Sequence, residues 1–399
     1  MAESTPLSGA NGLDFDALRP STHAIKPEHI EWRGRLRDFV EQTIAPHLDD
    51  WNSDGTFPDS VYKDAAAAGI LGMGFPEEHG GALPNADLYH RVTMAEELHR
   101  LGSGVVFGDL ATHWIALPPV IAQNSDALFA EVVKPILRGD KKIAFAVTEP
   151  GGGSDVSRLT TAAVPTTDGW RVSGSKTLIS GVMRADYVLT AVRTADAGMR
   201  GISLLLIDTS LAGVTREPVA GLRWYNRSVG TIAFDNTPVP SDYLIGPENE
   251  GFIRLLPQFN IERFSSVAAA LAMCRVSLAE AIAFARQRQV FGKLLIEQQS
   301  IRHRLVDQIR AIRVAYAFLD RCIDRFQEGS DTIADLGLLK IQATTTLESC
   351  ARECLHIMGG SAYQGSARLE RIQRESRIFA LGGGTEEVLK DLVGRQLKL

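Results

Sequence analysis

Three consecutive glycines, Gly151 to Gly153, interrupt the chain directly after an apolar run, and no other stretch restricts the local fold as much. The segment from Ala144 to Ser157 reads AFAVTEPGGGSDVS. Ile143, Phe145 and Val147 alternate with smaller residues, as in a strand, and Thr148, Glu149 and Pro150 end the run. Glycine weakens helices and strands alike, but without a Cβ it lets backbone approach a ligand closely. Thr148 and Ser154 flank the loop with hydroxyls that both donate and accept hydrogen bonds. The plain alternative is a strand followed by a glycine-rich turn, and the glycines alone do not separate the two readings.

Around this stretch the texture of the chain changes twice. From about Lys26 to Gly139 the pattern is helical. Ile30, Leu36, Phe39, Val40 and Ile44 recur at helical spacing until Pro46 ends or bends the run. Ser60 to Ala68 reads as a second helix, with Ser60 a candidate cap and Gly69 a stop. Tyr89 to Arg100 reads as a third. From Lys141 short alternating runs follow, at 170–172, 187–193, 202–208, 214–218 and 231–234, separated by turn residues such as Thr167-Asp168-Gly169. This predicts a small antiparallel β domain. From Phe252 the pattern is helical again, in long segments at 261–289, 297–326 and 332–358, which suggest an antiparallel bundle. The division read from this is a flexible tail over 1–25, a helical domain over 26–142, a β domain over 143–256 and a helical domain over 257–399.

The 399 residues are enough for two or three domains. The net charge of -6 is mild and argues against a general nucleic-acid binder, though not against a local basic patch for an anionic ligand. No apolar run is read as approaching the ~20 residues that cross a membrane. The first residues, MAESTPLSGANGLDFD, match neither a secretory signal nor an Arg-rich transit peptide, so the expectation is a loose tail on a cytoplasmic protein. Cys350 and Cys354 would share a helix face near His356, but no second ligand pair accompanies them. The four cysteines are read as reduced, buried structural thiols, with no metal site.

The central stretch T-E-P-G-x-G-S-D resembles the middle signature of the acyl-CoA dehydrogenase family of flavoproteins. Further matches run in order along the chain: FPEEHGG (75–81), GSKTLISG (174–181), NIERF (260–264), RQVFGKLL (288–295), HIMGG (356–360) and GGGTEEV (382–388). The resemblance covers about Glu28 to the C-terminus. It implies the family's three-part fold: an N-terminal helical domain, a middle antiparallel β-barrel and a C-terminal four-helix bundle. It also implies a reaction. A carboxylate removes the α proton of an acyl-CoA thioester, a hydride leaves the β carbon for N5 of FAD, and a trans-2-enoyl-CoA results. Such a proton is weakly acidic, so the site must polarise the carbonyl and bury a base of raised pKa.

Most family members carry that base as the Glu of an xxYEGT pattern near the C-terminus. Here the segment reads Ala380-Leu381-Gly382-Gly383-Gly384-Thr385, and Gly383 stands at the Glu position. A subgroup that includes isovaleryl- and long-chain acyl-CoA dehydrogenases places the Glu directly before an Arg on the first long helix of the C-terminal domain. Glu262-Arg263 matches it, which makes Glu262 the candidate base and Arg263 a substrate-binding residue. The resemblance implies that the Gly383 backbone N–H, with the ribityl 2′-hydroxyl of FAD, hydrogen-bonds the thioester carbonyl. Two carboxylates in one apolar slot would repel, so a glycine at 383 is compatible with a Glu at 262. The plain reading of Glu262 is an acid favoured early in a helix. Glu386 and Glu387 are a rival source of the base, although the pattern makes them the start of a terminal helix, facing FAD or solvent.

The remaining matched positions imply FAD contacts. Phe145, Val147 and Thr148 lie along the isoalloxazine, with Thr148 near N5 or O4. Gly153 and Ser154 meet the pyrophosphate or, for Ser154, the substrate. Leu178, Ile179 and Ser180 stand in the W-I-T pattern that stacks on the flavin, Leu178 replacing the usual aromatic. Arg288, Phe291 and Gln299 reach the FAD of a neighbouring subunit. His356, Gly359 and Gly360 form a close-approach turn over the same cofactor, and Thr385 and Glu387 match adenine-end or pyrophosphate contacts. The plain readings are a surface charge for Arg288 and a helix C-cap for Gly359-Gly360. The resemblance further implies a homotetramer, a dimer of dimers, that passes electrons to electron-transfer flavoprotein. It places the acyl pocket around 94–104 against Glu262. Two alternatives stay open. One is a same-fold flavin oxidase or monooxygenase on a non-CoA substrate, against which the Glu262-Arg263 pair argues. The other is a non-enzymatic flavin-binding or assembly protein. No P-loop, GxSxG elbow or HExxH motif points to another enzyme class.

Overall fold

The computed structural model describes residues 13–220, 227–363 and 368–399. In chain order, helices α1 (Pro27–Phe39), α2 (Leu48–Asp54), α3 (Ser60–Ala67), α4 (Leu88–Leu98), α5 (Phe107–Leu110), α6 (His113–Ile121), α7 (Asp126–Leu128) and α8 (Lys134–Leu137) come first. Strands β1 (Ile143–Ala146), β2 (Ala162–Thr166), β3 (Gly169–Ile179), β4 (Tyr187–Arg193), β5 (Ile202–Asp208), β6 (Val214–Pro218), β7 (Gly230–Pro240) and β8 (Leu244–Ile245) follow. The chain then returns to helix with α9 (Gly251–Gln287), a small hairpin of β9 (Gln289–Val290) and β10 (Lys293–Leu294), α10 (Gln299–Gln327), α11 (Ile333–Met358), α12 (Arg368–Leu381) and α13 (Glu386–Leu397). The helical, β, helical order matches the sequence reading. Ser60 proves to be the first helical residue rather than a cap, because Asp59 holds the cap position.

The chain divides into two compact units. The first comprises Met1–Val40, Leu88–Gly104 and Arg263–Leu399. Here α11 packs against α10, α12 and α13, and α9 meets α10 through an edge-on pair, Phe264 and Phe326. On α10 the buried residues Leu305, Ile312, Ala315, Leu319 and Cys322 recur at helical spacing, while Val306 and Val314 face out. The fully buried Glu96 accepts ion pairs from Arg19 at 3.0 Å, Arg33 at 3.3 Å and Arg275 at 3.3 Å. Burial alone would raise the pKa of Glu96, but these guanidinium groups hold it below its ordinary value.

That cluster corrects the expected tail. Residues 1–12 lie outside the described residues, but Phe15 and Leu18 are each only 1% exposed. The guanidinium carbon of Arg275 lies 3.8 Å from the Phe15 ring centroid, and Arg275 Nε donates to the Phe15 carbonyl. All four cysteines are buried and free, with Cys350 and Cys354 Sγ 3.9 Å apart on one face of α11. Another correction concerns apolar length. Helix α9 holds an 18-residue window of mean hydropathy 1.8, long and apolar enough to span a bilayer, but 83% of that window is buried inside the fold, as in a core helix.

The second unit comprises Glu41–Asp87 and Val105–Glu262. Its sheet has eight strands, hydrogen-bonded in the order β6-β7-β3-β2-β4-β5-β8, with β1 on β4. The expected sheet was antiparallel, but β1 pairs with β4 in parallel, and so does β2 through Ala162 and Arg193. The helices between Glu41 and Leu137 deliver β1 from outside the sheet, so it need not enter through a hairpin. Trp170, Val172, Ile179, Val188, Val192, Leu205, Ile207, Ile232 and Phe234 form the core of this unit.

Candidate active site

The glycine stretch is held by a buried ion pair that was not singled out in the sequence. Lys176, on β3, is fully buried, and its Nζ donates to the Val147 carbonyl at 3.1 Å and to Glu149 Oε1 at 2.8 Å. Glu149 also accepts from Thr161 N at 2.8 Å, and at 2.7 Å from both the backbone N–H and the hydroxyl of Thr160. Burial would raise the Glu149 pKa, but the bonds from Lys176, Thr161 and Thr160 outweigh it and bring the carboxyl down to about 2. Burial pushes Lys176 down to about 8 against the pull of Glu149, so the pair stays charged at neutral pH. The available signal was parity. Lys176 falls on the face of β3 that also buries Trp170 and Val172, and a lysine there requires a buried acid.

With both ends tied, the loop makes a tight turn. Glu149 and Gly152 exchange backbone hydrogen bonds of 3.1 and 3.0 Å around Pro150-Gly151. A Cβ on Gly151 or Gly152 would meet nothing within 4 Å, whereas one on Gly153 would stand 3.1 Å from Thr148 Cγ2. Packing inside the chain therefore does not require the first two glycines. Bare backbone there lies open beside the half-buried Thr148 and the exposed Ser154, where a chain without Cβ lets a ligand approach closely. Thr177 N donates to the Thr148 carbonyl at 2.9 Å, which sets the end of β1 against the end of β3. An irregularity in the β3–β7 register between Lys176 and Ile179 turns Leu178 outward at φ +58°, 53% exposed. Ile179, expected on the flavin, instead points its side chain into the core at 3% exposure, because the irregularity restores inward parity directly after Leu178. Ser180 is half-buried. The half-buried Phe145 meets Phe259 edge-on, with ring centroids 6.2 Å apart. The β-rich unit thus brings Phe145, Val147, Thr148, Gly153, Ser154, Leu178 and Ser180 to the neighbouring ends of two strands.

Glu262 is half-buried on α9. The helix begins at Gly251 and carries Pro257 inside it, so Glu262 lies about three turns from the start. Helix-end electrostatics fade within one turn, which removes the plain reading of this acid as a helix-start preference. In the helical unit, Arg263 Nε donates to the Gly383 carbonyl at 3.2 Å. Gly383 and Gly384 take φ of +67° and +106°, a backbone that L side chains rarely adopt. Thr385 then caps α13 by accepting from Val388 N, and Glu386 and Glu387 open that helix as the pattern implied. Glu386 is paired with Lys390 at 2.5 Å.

Phe291 and Gly292 form the two-residue turn of the β9–β10 hairpin, both at positive φ (+49° and +74°). That turn type favours Asn or Gly, yet its first position holds a phenylalanine that is 100% exposed. Arg288 and Gln299 flank the hairpin and are exposed. At the end of α11, Gly359 caps the helix at φ +58°, as its plain reading held, and His356 and Gly360 beside it are exposed.

The N-terminal, middle and C-terminal domain models of acyl-CoA dehydrogenase match residues 26–140, 144–237 and 249–398. The chain belongs to the acyl-CoA dehydrogenase family. It is 32% identical to an acyl-CoA dehydrogenase of Alternaria alternata, over 94% of this chain and 92% of that one. It is 28% identical to the mitochondrial long-chain specific acyl-CoA dehydrogenase of Mus musculus, over 93% and 86%. The solved structure of acyl-CoA dehydrogenase from Geobacillus kaustophilus superposes with a TM-score of 0.90 at 29% identity, covering 95% of this chain and 100% of that one. Family members are FAD-dependent oxidoreductases, and this chain is one of them. The open glycine backbone beside Thr148 and the outward Leu178 fit a large, phosphate-bearing planar cofactor.

Proposed function

We propose that the chain carries out α,β-dehydrogenation of an acyl-CoA thioester, with Glu262 removing the α proton and the Gly383 N–H donating to the thioester carbonyl. One observation carries this reading: Arg263, the residue directly after Glu262, binds the carbonyl of Gly383, the position where most of the family keeps its base. The helix that bears the candidate base thereby also holds the turn that lacks one. Bound FAD supplies the hydride acceptor. Phe145, Val147, Thr148, Gly153, Ser154, Leu178 and Ser180 would hold its ring and phosphates from one subunit. Arg288, Phe291, Gln299, His356, Gly359, Gly360, Thr385 and Glu387 would complete the binding, in part from a neighbour in a homotetramer. Electron-transfer flavoprotein is the proposed acceptor, and the cytoplasm the proposed compartment. Placement of the base on α9 favours branched or longer acyl chains.

Anaerobic mixing of the FAD-loaded protein with acyl-CoAs of graded length and branching tests the reading. Wild-type flavin absorbance should bleach with some of them, and Glu262→Gln should slow the fastest about 10³-fold, within the range of general-base loss. Bleaching at an unchanged rate in Glu262→Gln would remove Glu262 as the base and bring Glu386 and Glu387 forward. Oxygen uptake with a non-CoA substrate would favour the oxidase or monooxygenase reading.

A further inference from the structure

The turn between α12 and α13 is gripped from inside by a second cation. Lys340, on α11, is 1% exposed. Its Nζ donates to the Ala380 carbonyl at 3.2 Å and to the Gly384 carbonyl at 2.8 Å. With Arg263 on the Gly383 carbonyl, three carbonyls of one five-residue turn accept from two cations. Packing alone would not place an ammonium there, since a buried lysine costs more than an apolar side chain of the same length.

The electrostatics give the arrangement a consequence. Ala380 lies in the last turn of α12, where unpaired carbonyls concentrate negative charge. That charge would oppose an oxyanion forming beside Gly383. Lys340 neutralises it, and the first turn of α13, capped by Thr385, adds the positive end of a twelve-residue helix. The turn is left net positive; Leu381 and Gly382 are exposed and Gly383 and Gly384 half-buried, so the charge acts at short range, on a group seated directly against the turn. Gly383 and Gly384 sit at positive φ, and their peptide planes keep their aim only while those carbonyls are held.

The geometry points to Lys340 as a positioning residue of the reaction: with Arg263 it fixes the 380–384 turn and biases it towards the enolate oxygen of the deprotonated acyl-CoA. This inference rests on the proposed role of the Gly383 amide. No atom of Lys340 need touch the substrate.

The test uses FAD-loaded Lys340→Met, which keeps length without charge, and Lys340→Gln, which keeps a donor without charge. Two readouts are followed: flavin bleaching by the best acyl-CoA, and the long-wavelength absorbance that appears when a 3-thia-acyl-CoA loses its α proton beside oxidised flavin without passing a hydride. Lys340→Met should hold FAD and bind acyl-CoA within about threefold of wild type, yet lose most of the long-wavelength band and bleach about 10²-fold more slowly. A purely structural lysine would instead lower FAD content and thermal stability and leave the band of the loaded fraction intact, which overturns the inference. Should the Lys340 variants fail to fold, Arg263→Lys at a half-buried position applies the same criterion to the other grip: a lost band supports the inference and a wild-type band overturns it. Glu262→Gln is run in parallel. If it bleaches normally, the base assignment fails. If it is inert while Lys340→Met is normal, only the present inference fails.

Discussion

At the scale of single residues, Glu149 and Lys176 show how a charged pair shapes a binding loop without entering it. Four donor contacts converge on the Glu149 carboxylate, and removing its charge leaves Lys176 buried against the neutral Val147 carbonyl. Glu149→Gln should therefore destabilise the fold by about 3 kcal/mol, as expected when one partner of a buried pair is lost. It should also reduce FAD retention, because the Thr148–Ser154 turn loses its anchor. The pH dependence follows from the sign of the shift. The folded carboxyl sits near 2, below its ordinary 4.5, so its contribution is complete above 4.5 and lost as pH falls from there towards 2. Urea unfolding at pH 3 and pH 6 should show wild type losing more of its stability than Glu149→Gln over that interval, and parallel losses would exclude the pair as the source.

At the scale of elements, the segment that follows α4 is docked on α12 by polar contacts. Arg371 Nε donates to the Gly102 carbonyl and Gly104 N donates to Glu375 Oε2, each at 2.9 Å. Gly102 takes φ +71°, and a Cβ there would lie 2.8 Å from Arg368 Cγ. Burial raises Glu375 from 4.5 to about 7 despite the Gly104 N–H and the charges of Arg371 and Arg374. Its contribution is then full below 4.5 and lost as pH rises through 7. Burial lowers His99, on the same stretch, from 6.5 to about 4, against its bond to Ala95, so its contribution is lost in the opposite direction, as pH falls from 6.5. Glu375→Gln mimics the protonated carboxyl. Its stability relative to wild type should rise by on the order of 2 kcal/mol between pH 5 and pH 8 in denaturant titrations. A constant difference would show that Glu375 titrates normally.

For the whole molecule, Phe291 is the residue whose placement makes least sense in a lone chain. A strained, fully exposed aromatic at a hairpin tip costs stability unless a partner covers it. In the proposed tetramer it would meet the neighbour's cofactor. Phe291→Gly suits the turn better and should stabilise the isolated fold by up to about 1 kcal/mol. The same change should lower bound FAD and shift light-scattering mass towards smaller species. If mass and flavin content both match wild type, the hairpin has no part in assembly. The family resemblance had already assigned this residue outward, whereas nothing in its local pattern marks a Phe-Gly turn as a contact.

The sequence by itself determined the element order, the strands at 187–193, 202–208 and 214–218, and the family, because periodicity and short motifs are local properties that need no third dimension. It misjudged residues 13–25, where Phe15 and Arg19 meet a guanidinium group and a carboxylate far along the chain. It gave Ile179 to the cofactor, because one register irregularity exchanges inward and outward side chains and leaves no mark in composition. Only the tertiary structure paired Lys176 with Glu149 and brought Lys340 and Arg263 to the 380–384 turn. Each of these contacts joins residues from 27 to 120 positions apart. Whether a buried cation is neutralised depends on which acid or carbonyl the packed chain presents to it, and that is fixed by the fold as a whole.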